Sequence, residues 1–239
     1  MVIIINNKII DKKMEKKAII FDSGTLINLS MNGLLDILRE LKKIFNGKFI
    51  ITEDVKYETF GRPVKIKKFE LGALRIKQLI DDKILEMLSS FNISHQEIEA
   101  EIRRFLDISN KTFYARNEYI RLIDRGEASC LAVSKILSER GIKNVISIDE
   151  RTTRMLGEKP ENLHRLLESK LHTKIEANRN NYKFFKDFKF IRSSELLYIA
   201  YKKRLINLKN GEVLDALLFA AKFKGCAISY EEIQEMKRM

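Results

Sequence analysis

The sequence predicts an α/β protein with a mostly parallel central sheet. Three apolar segments carry the prediction: AIIF at 18–21, KFII at 48–51 and NVISI at 144–148. The first of them contains no polar alternation, which is typical of a strand that helices cover on both faces. Helical patterns separate the three segments, and this alternating order favours parallel pairing. In such sheets the binding crevice lies beyond the carboxyl ends of the strands.

The elements follow in order along the chain. Residues 2–10 indicate a short hairpin around Asn6-Asn7 or an edge strand, and the charged run 11–17 separates it from AIIF. After AIIF, apolar residues at three- and four-residue spacing predict an amphipathic helix; they are Leu34, Ile37, Leu38, Leu41, Ile44 and Phe45. Residues 64–120 have a largely helical pattern, and a helix ending near Gly141 precedes NVISI.

The remaining third of the chain is also predicted to be helical. A helix is expected over 161–172, and two more are expected in GEVLDALLFAAKFKG and ISYEEIQEMKRM. Ser229 and Glu232 have the spacing of a capping box that starts the last one. With few Gly and Pro residues to form linkers, 1–239 is expected to be one domain, with a helical insertion at 62–120 and a C-terminal extension at 160–239.

Composition narrows the classes of partner. The formal charge of +12 favours a polyanion, with nucleic acid ahead of an acidic membrane surface, although the coding bias or growth temperature of the source also accounts for many lysines. Cys130 and Cys226 lie in apolar patterns and are expected to be buried reduced thiols. No apolar run approaches the ~20 residues of a membrane span, so we expect a cytoplasmic protein without membrane contact.

Acidic residues follow each of the three predicted strands. Asp22 directly follows AIIF, Glu58 follows the second strand after a short turn, and Asp149 directly follows NVISI. Glu127, in the first turn of the next helix, is expected to join them from the side. Neighbouring carboxylates raise one another's pKa, and a hard divalent cation such as Mg²⁺ or Mn²⁺ removes that repulsion. The pattern therefore predicts a metal centre able to support phosphodiester hydrolysis.

Each acid also has a purely structural interpretation. Asp22 could cap the turn through Ser23 and Gly24, and Glu58 could be a solvated helical residue. Asp124 and Glu127 fit a helix-start box, and Asp149 could cap the following helix. Only the joint placement of the acids at one sheet edge favours the metal centre.

The acidic motifs resemble those of the PIN-domain family of metal-dependent ribonucleases. Asp22-Ser23-Gly24-Thr25-Leu26-Ile27 resembles the opening motif, Glu58 in VKYETF the second acid, Glu127 in GEAS the third motif, and Asp149-Glu150 the last acidic pair. The resemblance covers residues 18–154. It implies a Rossmann-like α/β/α sandwich and metal-bound Asp22, Glu58, Glu127 and Asp149. Asp124, Glu150, Ser23 and Thr25 would be supporting residues.

The same resemblance implies a substrate and partners. Single-stranded RNA is the expected substrate, cleaved either by a toxin component or by an RNA-processing nuclease. A small antitoxin protein and a homodimer are the expected protein partners. A PIN-like module that binds RNA or protein without cleavage is the alternative. A phosphatase of the haloacid dehalogenase type is disfavoured, because FDSGTL lacks the second Asp that acts as general acid.

Two basic segments are candidate RNA-binding surfaces. Near Glu58 they are Arg62, Lys65, Lys67 and Lys68; in the later segment they are Lys183, Lys186, Lys189 and Arg192. Residues 174–204 combine 9 Lys+Arg with 7 Phe+Tyr, a composition that suits an unpaired strand. The alternative is that Phe184, Phe185, Phe188 and Phe190 are core residues and that the lysines are solvated surface.

Overall fold

The computed structural model describes residues 4–5, 8–9, 17–91, 93–208 and 212–239. It confirms the α/β fold. The strands are β1 (Ile4–Ile5), β2 (Lys8–Ile9), β3 (Lys17–Phe21), β4 (Lys48–Ile50), β5 (Phe113–Ala115), β6 (Glu118–Tyr119), β7 (Lys143–Ser147), β8 (Glu176–Ala177) and β9 (Phe190–Ile191).

Helices account for most of the remaining chain. They are α1 (Ser23–Met31), α2 (Asp36–Ile44), α3 (Glu53–Lys56), α4 (Lys67–Asp81), α5 (His95–Asn110), α6 (Arg125–Glu139), α7 (Arg151–Glu158), α8 (Pro160–Leu171), α9 (Ser193–Lys202), α10 (Val213–Phe223) and α11 (Tyr230–Arg238). A π-helical turn, Tyr57–Gly61, follows α3 directly.

The central sheet has four parallel strands in the order β4-β3-β7-β9. In β3 every residue after Lys17 is buried, because helices cover both faces, as in Rossmann-like α/β/α folds. The register pairs Phe21 with Ser147, so β3 and β7 end side by side. The residues that follow these two strands must therefore be neighbours.

The N-terminal prediction of a hairpin agrees with the antiparallel pairing of β1 and β2, while Asn6, Asn7 and the charged residues 11–16 lie outside the described residues. The capping box that starts α11 is confirmed: Ser229 Oγ accepts from the Glu232 amide at 3.1 Å, and Glu232 Oε2 accepts from the Ser229 amide at 2.7 Å.

The segment 62–120 is not purely helical. It contains α4 and α5, as predicted, but also β5 and β6, which form a second sheet with β8 in the order β6-β5-β8. Glu86 adds a parallel bridge to Ile50 at the edge of the central sheet. β5, β6 and β8 have only two or three residues each, too few to show a periodicity in the sequence.

A single apolar cluster runs through the described residues from Ala18 to Met236. It includes residues of α4 and α5 as well as of α9, α10 and α11, so the proposed insertion and extension share the core with the central sheet. No helix within the described ranges is long and apolar enough to cross a membrane.

Candidate active site

The four predicted acids lie at the carboxyl edge of the central sheet. Asp22 follows β3 and is the N-cap of α1, and its amide donates to Ser147 O at 2.9 Å, which ties it to the end of β7. Asp149 lies two residues beyond β7. Glu58 is in the π-helical turn, and Glu127 is in the first turn of α6. Strand ends thus supply two acids, and helices supply the other two.

Two glycines show how closely these acids pack. A Cβ on Gly126 would lie 2.6 and 2.7 Å from the two carboxylate oxygens of Glu58, so a side chain there would displace Glu58 from the residue preceding Glu127. A Cβ on Gly24 would lie 3.2 Å from Asp22 Oδ2 and 4.0 Å from Asp149 Cβ. The sequence motifs SGT and GEA therefore place backbone where the carboxylates need room.

Asp22 has one carboxylate oxygen bonded and one without a partner among the described residues. Its Oδ2 accepts from the Gly24 amide at 3.0 Å, while its Oδ1 is buried and has no hydrogen-bond partner among the described residues. Burial, together with repulsion from Glu58 and Asp149, raises the pKa of Asp22 to about 7, against the lowering effect of the Gly24 and Ser23 amides. An unpartnered buried carboxylate oxygen is costly unless a cation or a proton meets it.

Glu127 both caps the start of α6 and interacts with the neighbouring acids. Its Oε2 accepts from the Asp124 amide at 2.7 Å, as in a capping box. Burial, and then repulsion from Asp22, Glu150 and Asp124, raises its pKa to about 8, although the hydrogen bond to the Asp124 amide opposes the shift. The helix-start interpretation and the acid-cluster interpretation therefore apply to the same side chain.

Asp149 is held by three hydrogen bonds that the sequence did not suggest. Ser193 donates to it from its amide and its hydroxyl, both at 2.7 Å, and Asn28 Nδ2 donates at 2.9 Å. Burial raises the pKa of Asp149 despite these bonds. The available signals were a polar Asn28 among apolar residues of α1 and Ser193 two residues after β9, a strand too short to be recognised in the sequence.

The capping role considered for Asp149 belongs to its neighbour. Glu150 is the N-cap of α7 and accepts from the Thr153 amide at 2.7 Å. Asp149 does not cap α7, and its carboxylate accepts from Ser193 and Asn28 instead.

The other supporting residues have separate roles. Thr25 is buried, and its hydroxyl lies 3.3 Å from that of Ser147. Ser23 is half-buried at the start of α1. Asp124 is exposed and paired with Arg121, so it lies on the outside of the cluster.

Cys130 lies beneath the acids. It is fully buried, and burial together with repulsion from Asp22, Glu127 and Glu58 raises the pKa of its thiol. Cys226 is also buried, with its sulfur 3.5 Å from Ser194 Oγ. Both thiols are free, as expected.

The donor chemistry of the cluster suits a hard cation, since four carboxylates supply only oxygen and one oxygen of Asp22 is unpartnered. In the described part of the chain, however, no three His, Cys, Asp or Glu side chains are arranged around one position that could hold an ion. Glu127 and Asp149 instead direct carboxylate oxygens at hydrogen-bond donors. The acids fit a divalent ion by the chemistry of their oxygen donors, but in the described residues they do not form a coordination shell.

Seven of the eight predicted RNA-binding cations are exposed: Arg62, Lys65, Lys67, Lys68, Lys183, Lys186 and Lys189. Arg192 is a correction, because it is buried and paired with Glu195 and Glu232. The core interpretation of the later aromatics is also supported. Phe185 is fully buried, and Phe184, Phe188 and Phe190 pack on the core.

No protein-family model matches the chain, and comparisons with curated proteins and with solved structures find no significant match. The resemblance to PIN domains therefore depends on the motif residues and on their placement.

Proposed function

We propose that the chain is a metal-dependent endoribonuclease of the PIN type that hydrolyses single-stranded RNA in the cytoplasm. One observation carries the proposal: a buried oxygen of Asp22 without a partner, at the carboxyl edge of a parallel sheet and among three further acids. An uncharged ligand would leave the repulsion between the four carboxylates in place, whereas a divalent cation would remove it.

The residues have distinct tasks in this proposal. Asp22 and Asp149 would be ligands fixed by strand ends, and Glu58 and Glu127 would be ligands supplied by helices. Mg²⁺ or Mn²⁺ bound there would activate water and stabilise the leaving oxygen of a phosphodiester. Ser193 and Asn28 orient Asp149, so their hydrogen bonds limit the positions its carboxylate can take. The +12 charge of the chain favours approach of the RNA backbone.

A non-cleaving module that binds RNA or protein is the second candidate. The hydrogen bonds already made by Glu127 and Asp149 favour it, because those oxygens are occupied without an ion. Divalent-ion dependence separates the two candidates, since a binding module needs no Mg²⁺ for its RNA contacts. A toxin role, an antitoxin partner and a homodimer are further proposals from the resemblance alone.

The first prediction concerns Asp22→Asn. With Mg²⁺ or Mn²⁺, the wild type is expected to cleave labelled single-stranded RNA, and EDTA is expected to stop it. Asp22→Asn should reduce the rate by about 10³-fold or more, since it removes an ionised ligand while keeping the shape of the side chain. Glu118→Gln, which changes an exposed acid on β6, is the matched control and should cleave normally. Cleavage that persists in Asp22→Asn or in EDTA would contradict the proposal.

A further inference from the structure

A cleft of about 540 Å³ lies between α7, the start of α8 and the connection from α10 to α11. Its size is within the range of ligand-binding pockets. Four cationic side chains line it, Arg151, Arg154, Lys159 and Lys222, together with Tyr230. The sequence motifs did not indicate this cleft, because its two walls are about seventy residues apart in the chain.

Three of the cations have hydrogen-bond donors to spare. Arg151 and Lys159 are exposed and have no ion-pair partner in the described ranges. Arg154 donates from one terminal nitrogen to Ala227 O at 3.1 Å, but its buried Nε has no partner among the residues described. A buried guanidinium donor without an acceptor is costly, and a phosphate oxygen is a suitable acceptor for it.

The acidic residues of the cleft offset only part of its positive charge. Three acids line it, Glu158, Glu231 and Glu232. Glu232 is bound to Arg192 at 2.9 Å and also accepts from the Ser229 amide, so it is neutralised from outside the cleft. Glu158 and Glu231 remain, so four cations line the cleft against two acids and its net charge stays positive. The Ser229 hydroxyl accepts from the Glu232 amide, which satisfies one of the first amides of α11 and leaves the cationic side chains as the principal donors for an anion.

An exposed aromatic ring adjoins the cations. Tyr230 is 54% exposed, and Lys222 Nζ lies 4.5 Å from its ring centroid. Phe219 packs on Tyr230 with a centroid separation of 5.6 Å and supports the ring from the protein side. Cations beside an exposed aromatic ring suit a single-stranded nucleic acid, whose phosphates and bases require the two kinds of group. An acidic peptide would use the cations but would not need the ring.

Ala227 connects the cleft to the acid cluster. Its carbonyl accepts from Arg154, and its amide donates to Asp149 O at 3.0 Å. Arg151 is only two residues beyond Asp149 at the start of α7. RNA bound in the cleft would therefore lie next to Asp149, one of the four acids.

We infer that this cleft binds the single-stranded RNA that flanks the scissile phosphate, with Arg151, Arg154 and Lys159 on phosphates and Tyr230 stacked on a base. The inference rests on the proposed nuclease function for its placement of the scissile phosphate. The RNA contacts themselves need no metal ion.

Binding is measured with the full chain carrying Asp22→Asn, in EDTA, so that no cleavage occurs. The probe is a labelled single-stranded RNA of about 12 nucleotides, titrated at roughly 50 to 300 mM KCl. Arg151→Ala/Lys159→Ala is compared with Lys170→Ala/Lys174→Ala, which removes two exposed cations from the end of α8 and the following loop. The first pair should weaken binding by about tenfold or more and lower the salt slope by about 1.4, while the control changes affinity less than about twofold.

Tyr230→Leu tests the stacking contact, because Leu retains apolar packing on Phe219 without a planar face. It should weaken RNA binding about fivefold or more and leave binding of inorganic polyphosphate unchanged. Equal effects of the two cation pairs would overturn the inference. Unchanged RNA affinity in Tyr230→Leu would also overturn it, because the cleft would then be a general polyanion site.

Failure of the nuclease proposal has a different signature. If the wild type binds RNA through the cleft but never cleaves it, the nuclease proposal is wrong and the proposed RNA contacts of the cleft stand. If the wild type cleaves RNA but the cleft variants have unchanged KM and RNA affinity, only the inference about the cleft is wrong.

Discussion

At the scale of single residues, the acids at the sheet edge carry a free-energy cost. The pKa of Asp22 is raised to about 7 from an ordinary value of 3.8, and that of Glu127 to about 8 from 4.5. Burial is the largest cause in both cases, and mutual repulsion adds to it. Such a cluster lowers the stability of the folded chain whenever it is ionised and no cation is bound.

The sign of the pH dependence follows from these shifts. Between about pH 4 and 8 the folded chain holds protons on Asp22 and Glu127 that the unfolded chain has released, so the free energy of unfolding falls as pH rises. In EDTA the wild type should therefore be more stable at pH 5 than at pH 8. Asp22→Asn should remove part of the slope and raise stability at pH 8 by about 2–4 kcal/mol. Urea unfolding across this pH range measures both effects.

Glu118→Gln is the control for this experiment. Because Glu118 is exposed, the substitution should leave the pH dependence of the free energy of unfolding unchanged. A wild-type slope that survives intact in Asp22→Asn would show that other groups cause the pH dependence. Added Mg²⁺ should stabilise the wild type at pH 8 more than it stabilises Asp22→Asn.

At the scale of elements, the sequence was informative where a pattern was long enough. The apolar runs predicted β3, β4 and β7, and the strand ends then placed Asp22 and Asp149 at one edge. The two-residue strand β9 was missed, although it places Ser193 beside Asp149.

The hydrogen-bond partners of Asp149 could not be predicted either, because they are distant in the sequence. Asn28 is 121 positions from Asp149, and Ser193 is 44 positions from it. Their proximity results from sheet order and helix packing, which local patterns do not determine.

Arg192 shows the same limit for a charged residue. It lies between β9 and α9, and its guanidinium donates to Glu195 on α9, to Glu232 on α11 and to Ala227 O. Its side chain is 9% exposed, so it joins two helices instead of presenting a charge to solvent. In the sequence it was one more cation in a basic segment.

Arg192→Met is expected to destabilise the protein by about 2–4 kcal/mol, because it leaves Glu195 and Glu232 without their shared partner. Glu232→Gln should cost less, since that side chain is 45% exposed and can be hydrated. Hydrogen exchange should show faster opening of α11 in Arg192→Met. If Arg192→Met instead reduces RNA affinity and leaves stability unchanged, Arg192 contacts RNA and the structural role is wrong.

At the scale of the whole molecule, the core determines how the chain unfolds. The apolar cluster joins Ile76 and Leu79 of α4 and Ile102 of α5 to the strands and to Ile233 of α11. The segments 62–120 and 160–239 therefore contribute side chains to the same interior as β3. Elements that share one core are expected to unfold together.

This expectation is tested with two leucines of α4, a helix of the segment 62–120. Leu79 is 1% exposed and Leu71 is 72% exposed. Leu79→Ala should cost about 2–5 kcal/mol through lost burial and a cavity, while Leu71→Ala should stay within about 0.5 kcal/mol. If 62–120 belongs to the common core, Leu79→Ala will shift one transition that far-UV and near-UV circular dichroism report alike. Two separate transitions, with only the first moved by Leu79→Ala, would mean that the segment folds as an independent unit.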